Sequence, residues 1–350
     1  MIIEKQTKVL RILFSVSELS GPYNQFSLPF SNSQSILLEL LSAPKIDIPE
    51  TIKIDHADNN WFKFISNIVK ASLIHYRFIH IHHANIAILA PLIRLITFGK
   101  NRTVIFTLGT CFNNLKLRHK IFLTLSIPFF THFVCCSRAV RESLPSWFST
   151  IGGDRVETIQ HGINLDRIPP ESHKKKQLVI ATRLIKEKNV DLVISSLVNL
   201  HPDYKLLIAG DGKEKASLIR LKDQLGLEKK VEFLGIIPRD SALALMSESE
   251  FYISASNSDG MPIAVLEAAA AGCIPILVDS TPHKEIGNIG IKTYLFESNP
   301  ESIAKALKDA ISMSQEERRK VLYNNLQIIK NKCGTDTMMA KYLELTENKV

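Results

Sequence analysis

Apolar positions along the chain fall into short β-rich runs separated by stretches of helical spacing. Runs of strand length occupy residues 8–17, 78–82, 103–107, 133–136 and 156–160, and then 177–182, 204–209, 231–235, 251–255 and 273–278. Most are apolar throughout, as expected of strands covered on both faces. Helical periodicity marks 33–41, 61–75, 85–96, 137–142, 190–200 and 263–271, and 304–311, 316–330 and 337–345 read as closing helices. Strands alternating with helices predict an α/β chain with parallel sheets. No internal repeat or low-complexity tract interrupts the pattern.

Residues 250–278 are the most informative stretch. A strand at 251–255 runs into the polar turn Ser256, Asn257, Ser258, Asp259, Gly260. Pro262 stands where a first-turn proline is tolerated, good helix formers follow, Gly272 closes them, and a second buried strand begins. This is a strand–loop–helix–strand unit with its loop at the carboxyl end of a strand, where open α/β sheets bind ligands. Two carboxylates stand out. Asp259 precedes the helix and Glu267 lies about two turns further on. The plain alternative makes Asp259 an N-cap and Glu267 a solvated helix residue. The free N–H groups within 261–264, Pro262 having none, are placed to meet an anion.

The segment D-G-M-P-I-A-V-L-E-A-A-A-A-G-C-I-P, residues 259–275, resembles the Glu-x7-Glu signature of the group-1 (family 4) retaining glycosyltransferases, with Asp259 in place of the first Glu. The likeness extends through much of 177–295. It implies two Rossmann-like domains with parallel sheets facing an interdomain cleft, the GT-B architecture. Residues 1–166 would form the acceptor-binding domain, 167–176 a linker and 177–335 the nucleotide-sugar domain; 336–350 would be a C-terminal helix returning to the first domain. It also implies roles. Arg183 and Lys188, in a stretch similar to G-R-L-x-x-x-K-G, would hold a diphosphate, with Asn189 where a glycine is usual. Gly260, Met261, Pro262 and Ile263 would approach the donor, Glu267 the ribose hydroxyls and Asp259 the sugar hydroxyls. Ile236, at the exit of the strand 231–235, would lie by the base, and Gly210 and Gly212 would shape a strand exit.

On the N-terminal side Gly21 is the one glycine able to serve as the loop after the first strand, against the alternative of an ordinary exit turn. By the same resemblance His82 or His83 is a candidate near the reacting sugar, against the alternative of a histidine bonded within the core edge; His80 and His82 share a face by strand alternation. Residues 280–285 correspond to a loop that is glycine-rich in the family, here without the glycines. The expected reaction is transfer of a sugar from a nucleotide diphosphate to a glycan or lipid-linked acceptor in cell-envelope polysaccharide synthesis, with retention and no metal or cofactor. A sugar-nucleotide epimerase and a non-catalytic nucleotide-sugar-binding subunit remain alternatives. A dehydrogenase is disfavoured, since no G-x-G-x-x-G follows a strand.

Composition narrows the setting. The 350 residues, 45% of them hydrophobic, suffice for two cores. Net charge is +8, and the basic excess lies in residues 1–165, with 17 Lys and Arg against 10 Asp and Glu. That excess suits an anionic membrane surface or an acidic acceptor, against the alternative of a simple solubility charge. No basic stretch interleaved with aromatics suggests nucleic acid. Five cysteines, mostly inside apolar runs and without metal-ligand pairing, point to a reduced cytoplasmic protein, which the basic first half would place at the inner face of the membrane. The N-terminus lacks a cleavage-site pattern, and the apolar stretch 121–136 is too short to span a bilayer.

Overall fold

The structure is a computed structural model that describes residues 9–13, 35–39, 52–73, 78–98, 102–170, 172–199 and 203–347. The chain divides into two compact units, Met1–Gly162 with Thr335–Val350, and Ile163–Gly334. The first holds a sheet of β1 (Val9–Leu13), β2 (Ser35–Glu39), β3 (Ile52–His56), β4 (Phe78–Ile81), β5 (Thr103–Leu108), β6 (His132–Cys135) and β7 (Val156–Thr158). The second holds β8 (Lys175–Ala181), β9 (Lys205–Ala209), β10 (Val231–Gly235), β11 (Ser249–Ser254), β12 (Ile274–Val278) and β13 (Tyr294–Phe296).

Every ladder is parallel. Their orders are β3-β2-β1-β4-β5-β6-β7 and β10-β9-β8-β11-β12-β13. Both reverse direction beside their first strand, the doubly wound order of Rossmann-like sheets. Burial explains the sequence runs: β1, β4, β5, β6 and β12 are buried at every position. A strand covered on both faces has no polar side to alternate with.

Three local expectations differ. The helical spacing at 33–41 gives way to strand β2, because a short apolar run carries no period of its own and its neighbour β1 supplies the pairing. The region 280–285, expected as a loop, begins the helix Thr281–Ile289, with Pro282 in its first turn. The expected linker 167–176 is shortened from behind, since β8 starts at Lys175.

In the first unit the helix Thr335–Glu347 lays Met338, Met339, Tyr342 and Leu345 on Val9, Phe78, Ile105, Val134 and Ile159. A polar chain crosses that core. The Arg11 guanidinium meets His80 Nδ1 at 3.1 Å, His80 Nε2 meets Thr107 Oγ1 at 2.7 Å, and Thr107 meets the Tyr342 hydroxyl at 2.8 Å. Burial lowers the Arg11 pKa to about 9. It holds His80 and His82 well below the usual histidine range, helped by the Arg11 charge, and His161 at about 3.

In the second unit two glycines join the exits of β8 and β9. A Cβ on Gly210, whose φ is 141°, would lie inside the Thr182 carbonyl, and one on Gly212 would strike the Leu184 carbonyl. Gly210 N–H donates to the Gly235 carbonyl at 2.7 Å and Leu184 N–H to that of Asp211 at 2.9 Å, so three strand exits are locked together. Replacing Gly210 by Ala forces backbone against backbone, and a loss of at least about 2 kcal/mol is expected. Thermal unfolding should show the second unit melting roughly 4–8 °C lower; an unchanged transition would mean that the exit loops can part freely.

Candidate functional site

The order of the second sheet sets its site. Connections leave β8 and β11 in opposite directions, so their exit loops diverge and leave a crevice at the carboxyl ends of the strands. The loop after β8 carries Arg183, Lys188 and Asn189. The loop after β11 carries Ser256, Asp259 and Gly260. Asn189 takes a left-handed conformation, φ 48° and ψ 40°, at the place where the family resemblance has glycine. Asparagine tolerates this region better than most residues. Its side-chain amide also donates to the Ala255 carbonyl at 2.9 Å, tying the two loops together.

Across this crevice the Lys188 ammonium donates to Asp259 Oδ1 at 2.5 Å and to Ser256 Oγ at 3.0 Å. Both charged side chains are mostly buried, 12% and 22% exposed, which makes the pair stronger than a surface ion pair. Asp259 is therefore no N-cap. Pro262 holds the cap position of the helix Ile263–Ala270 and supplies no side-chain hydrogen bond. The Lys188 ammonium has three N–H donors, of which these contacts use two.

A third group, not foreseen from sequence, comes from the exit of β12. His283 sits in the first turn of the helix Thr281–Ile289, fully buried, with Nδ1 3.0 Å from the Val278 carbonyl. A carbonyl only accepts, so the proton lies on Nδ1 and Nε2 presents a lone pair. That nitrogen stands 3.9 Å from Asp259 Oδ2 and has no hydrogen-bond partner among the described residues. Burial lowers the His283 pKa, against an opposing pull from Asp259. The ring is thus neutral near pH 7 and, with the carboxylate, forms an acceptor-rich wall.

Glu267 is not solvated. Its residue is 7% exposed, and its carboxylate pairs with the Arg239 guanidinium. Burial raises its pKa, while Arg239 and, less strongly, Arg167 pull it down. Arg239 opens the helix Arg239–Glu248, and beside it Asp240 is held by Arg167 at 2.5 Å. Sequence reading missed Arg239 because nothing in its local pattern announces a contact with a residue 28 positions away.

The remaining expected residues are placed as follows. Arg183 is exposed at the same strand exit as Lys188. Gly260, Met261 and Pro262 are buried and Ile263 half-buried. The Ile263 amide already donates to the Met261 carbonyl at 2.9 Å, which leaves it turned from an incoming anion. Ile236 is 71% exposed just past β10, after Gly235 at φ 69°. His82 belongs to the first unit, where it follows β4 and packs its ring 3.8 Å from that of His80, centroid to centroid. Gly21 lies outside the described residues. No group of three or more His, Cys, Asp or Glu able to hold a metal occurs among the described residues.

Residues 163–327 match the family model described as Glycosyl transferases group 1. The chain is 22% identical over 216 residues to the GPI3 subunit of the phosphatidylinositol N-acetylglucosaminyltransferase of Saccharomyces cerevisiae, covering 58% of this chain and 48% of that protein. Over 217 residues it is 27% identical to a Campylobacter jejuni enzyme named N-acetylgalactosamine-N,N'-diacetylbacillosaminyl-diphospho-undecaprenol 4-alpha-N-acetylgalactosaminyltransferase, covering 60% and 58% of the two chains. The chain thus spans roughly half the length of these relatives. Among solved structures, Anabaena Alr3699/HepE in complex with UDP and glucose superposes with a TM-score of 0.81 at 15% identity, over 98% of this chain and all of that one. The sucrose-phosphate synthase of Thermosynechococcus elongatus does so at 0.78 and 13%, over 98% of both. Residues 163–327 of the second unit are thus similar to the group 1 glycosyltransferases, and the chain has the two Rossmann-like sheets of the GT-B fold.

Proposed function

We propose that the protein transfers a sugar from a nucleotide-diphosphate donor to a glycan or lipid-linked acceptor, with retention of anomeric configuration, without a metal, and in cell-envelope polysaccharide synthesis. The observation that carries this is the meeting of Lys188, Asp259 and His283 at the reversal point of the second sheet. It supplies, within one crevice, a cation for a leaving diphosphate and two acceptors for sugar hydroxyls.

Lys188, through its remaining N–H, and Arg183 offset the negative charge that gathers on the diphosphate as the glycosidic bond breaks. Asp259 and His283 accept hydrogen bonds from adjacent hydroxyls of the donated sugar; their spacing of 3.9 Å suits neighbouring oxygens on one ring. Glu267 takes the ribose hydroxyls, with Arg239 holding its carboxylate charged against the pull of burial. Ile236 lies where the base rests. His82 acts near the reacting sugar, and Gly21 in the loop that approaches it; these two assignments rest on family resemblance. The relatives named for a phosphatidylinositol and for a diphospho-undecaprenol favour a lipid-linked acceptor at the inner face of a membrane.

A thermal-shift panel of UDP-, GDP- and ADP-sugars tests the donor class. One base should stabilise the fold by about 2.7 kcal/mol at a hundredfold excess over its Kd, raising the melting temperature by roughly 5–10 °C. No shift with any of the three would remove the transferase reading. Turnover of the donor without an acceptor would favour the epimerase instead.

A further inference from the structure

One surface of the first unit has no part in the site just described. The helix Leu117–Ser126 turns Leu117, Ile121 and Leu125 to solvent, where a helix covering a core would place polar residues. Spaced four apart, they form one stripe, and the following short turn continues it at Phe129. The stripe is roughly 18 Å long at the helical rise. It ends at a surface hollow where Phe129 meets Leu95 and Phe98 from the helix Ala90–Ile96 and its exit. Phe98 is 87% exposed, and Leu95 and Leu117 are each 73% exposed. Six large apolar side chains gathered this way exceed the scatter of single exposed residues found on most soluble proteins.

Charge identifies what the face meets. Between Asn59 and Arg141 the sequence runs 83 residues without one Asp or Glu, and carries 11 Lys and Arg. Lys116 and Arg118 are exposed on either side of Leu117, at the head of the stripe. Apolar side chains framed by cations, on a helix lying flat, match an anionic bilayer. The apolar groups enter the headgroup boundary and the cations meet lipid phosphates. No helix among the described residues is long and apolar enough to cross a membrane.

We propose that Leu117, Ile121, Leu125, Phe129, Leu95 and Phe98, flanked by Lys116 and Arg118, form a docking face for an anionic lipid bilayer. This deepens the reading of a lipid-linked acceptor, and for its purpose rests on it, because such an acceptor is anchored in that surface. Its binding is independent of any donor.

The test is flotation of the full chain with vesicles of phosphatidylcholine, with or without phosphatidylglycerol. The wild type should float with the anionic vesicles, weakly with the neutral ones, and less as salt rises. The triple variant L117S/I121S/L125S should lower the bound fraction about tenfold or more. K116E/R118E should abolish the preference for phosphatidylglycerol. The exposed second-unit change V198S should bind as wild type does, and circular dichroism should show all variants folded, since each change is at the surface. Equal flotation of wild type and triple variant would overturn the proposal. So would absence of flotation, including the case where sedimentation shows a dimer of the chain that the triple variant dissolves. Flotation as expected, with no thermal shift from any sugar nucleotide, would keep this face and remove the transferase reading.

Discussion

Acidification from pH 7.5 to 5 is expected to unfold the first unit far more easily than loss of surface charge pairs would explain. His80, His82 and His161 are buried there, and their folded pKa values lie below 6.5, that of His161 at about 3. Burial is the first cause in each, and for His80 and His82 the Arg11 charge adds to it. A base whose folded pKa is depressed binds its proton more readily when unfolded. Its stabilising effect is whole above about 6.5 and is lost as pH falls toward the folded value. At pH 5 His161 withdraws about 2 kcal/mol, a sizeable share of ordinary domain stability, and His80 and His82 shift the balance in the same direction. Glu267 opposes this in the second unit. Its raised pKa makes the folded form bind its proton more tightly, so between about 4.5 and its folded value acid relieves that site. Denaturant titrations at the two pH values measure the difference. Replacing His161 by Gln should flatten the slope by about one proton, and a stability independent of pH between 7.5 and 5 would contradict the neutral, buried state of these rings.

The second large effect concerns Lys188. The Lys188→Met variant should fold, since its ammonium is the polar end of a loop contact, yet turnover with a working donor should fall about 10²–10³-fold, or roughly 3–4 kcal/mol. The fall should appear in kcat, because the diphosphate gains most of its charge in the transition state. A distinct sign accompanies it. Lys188 helps keep His283 neutral while Asp259 pulls the other way, so removing the cation should raise the His283 pKa, visible by NMR titration of its ring. Unchanged kcat would remove Lys188 from the leaving-group role.

The part of this protein legible in its sequence is the part where chemistry requires particular residues at fixed spacing. The run 250–278 announced strand, turn, helix and strand, because a proline, two carboxylates and a glycine each mark a position in that unit. Strand β2 was not legible: Ser35-Ile-Leu-Leu-Glu39 fits a helix or a strand, and only pairing with β1 decides. The two side chains of the candidate site that escaped notice, Arg239 and His283, enter it through contacts across the fold. Arg239 reaches Glu267 from another helix, and His283 reaches Asp259 from the exit of a neighbouring strand. The plain alternative, Asp259 as an N-cap, does not hold: Pro262 takes the cap position, and the carboxylate pairs with Lys188, distant in sequence.

The seating of the helix Thr335–Glu347 on the first sheet also bears on how the chain is made. A ribosome completes β1 through β7 early and then builds the whole second unit before Tyr342 emerges to meet Thr107. During that interval Val9, Phe78, Ile105 and Val134 await their cover, while the second unit has every strand it needs. The half synthesised first is therefore the half that matures last, and nascent chains halted before residue 335 would offer chaperones a greasy sheet face that the finished protein hides.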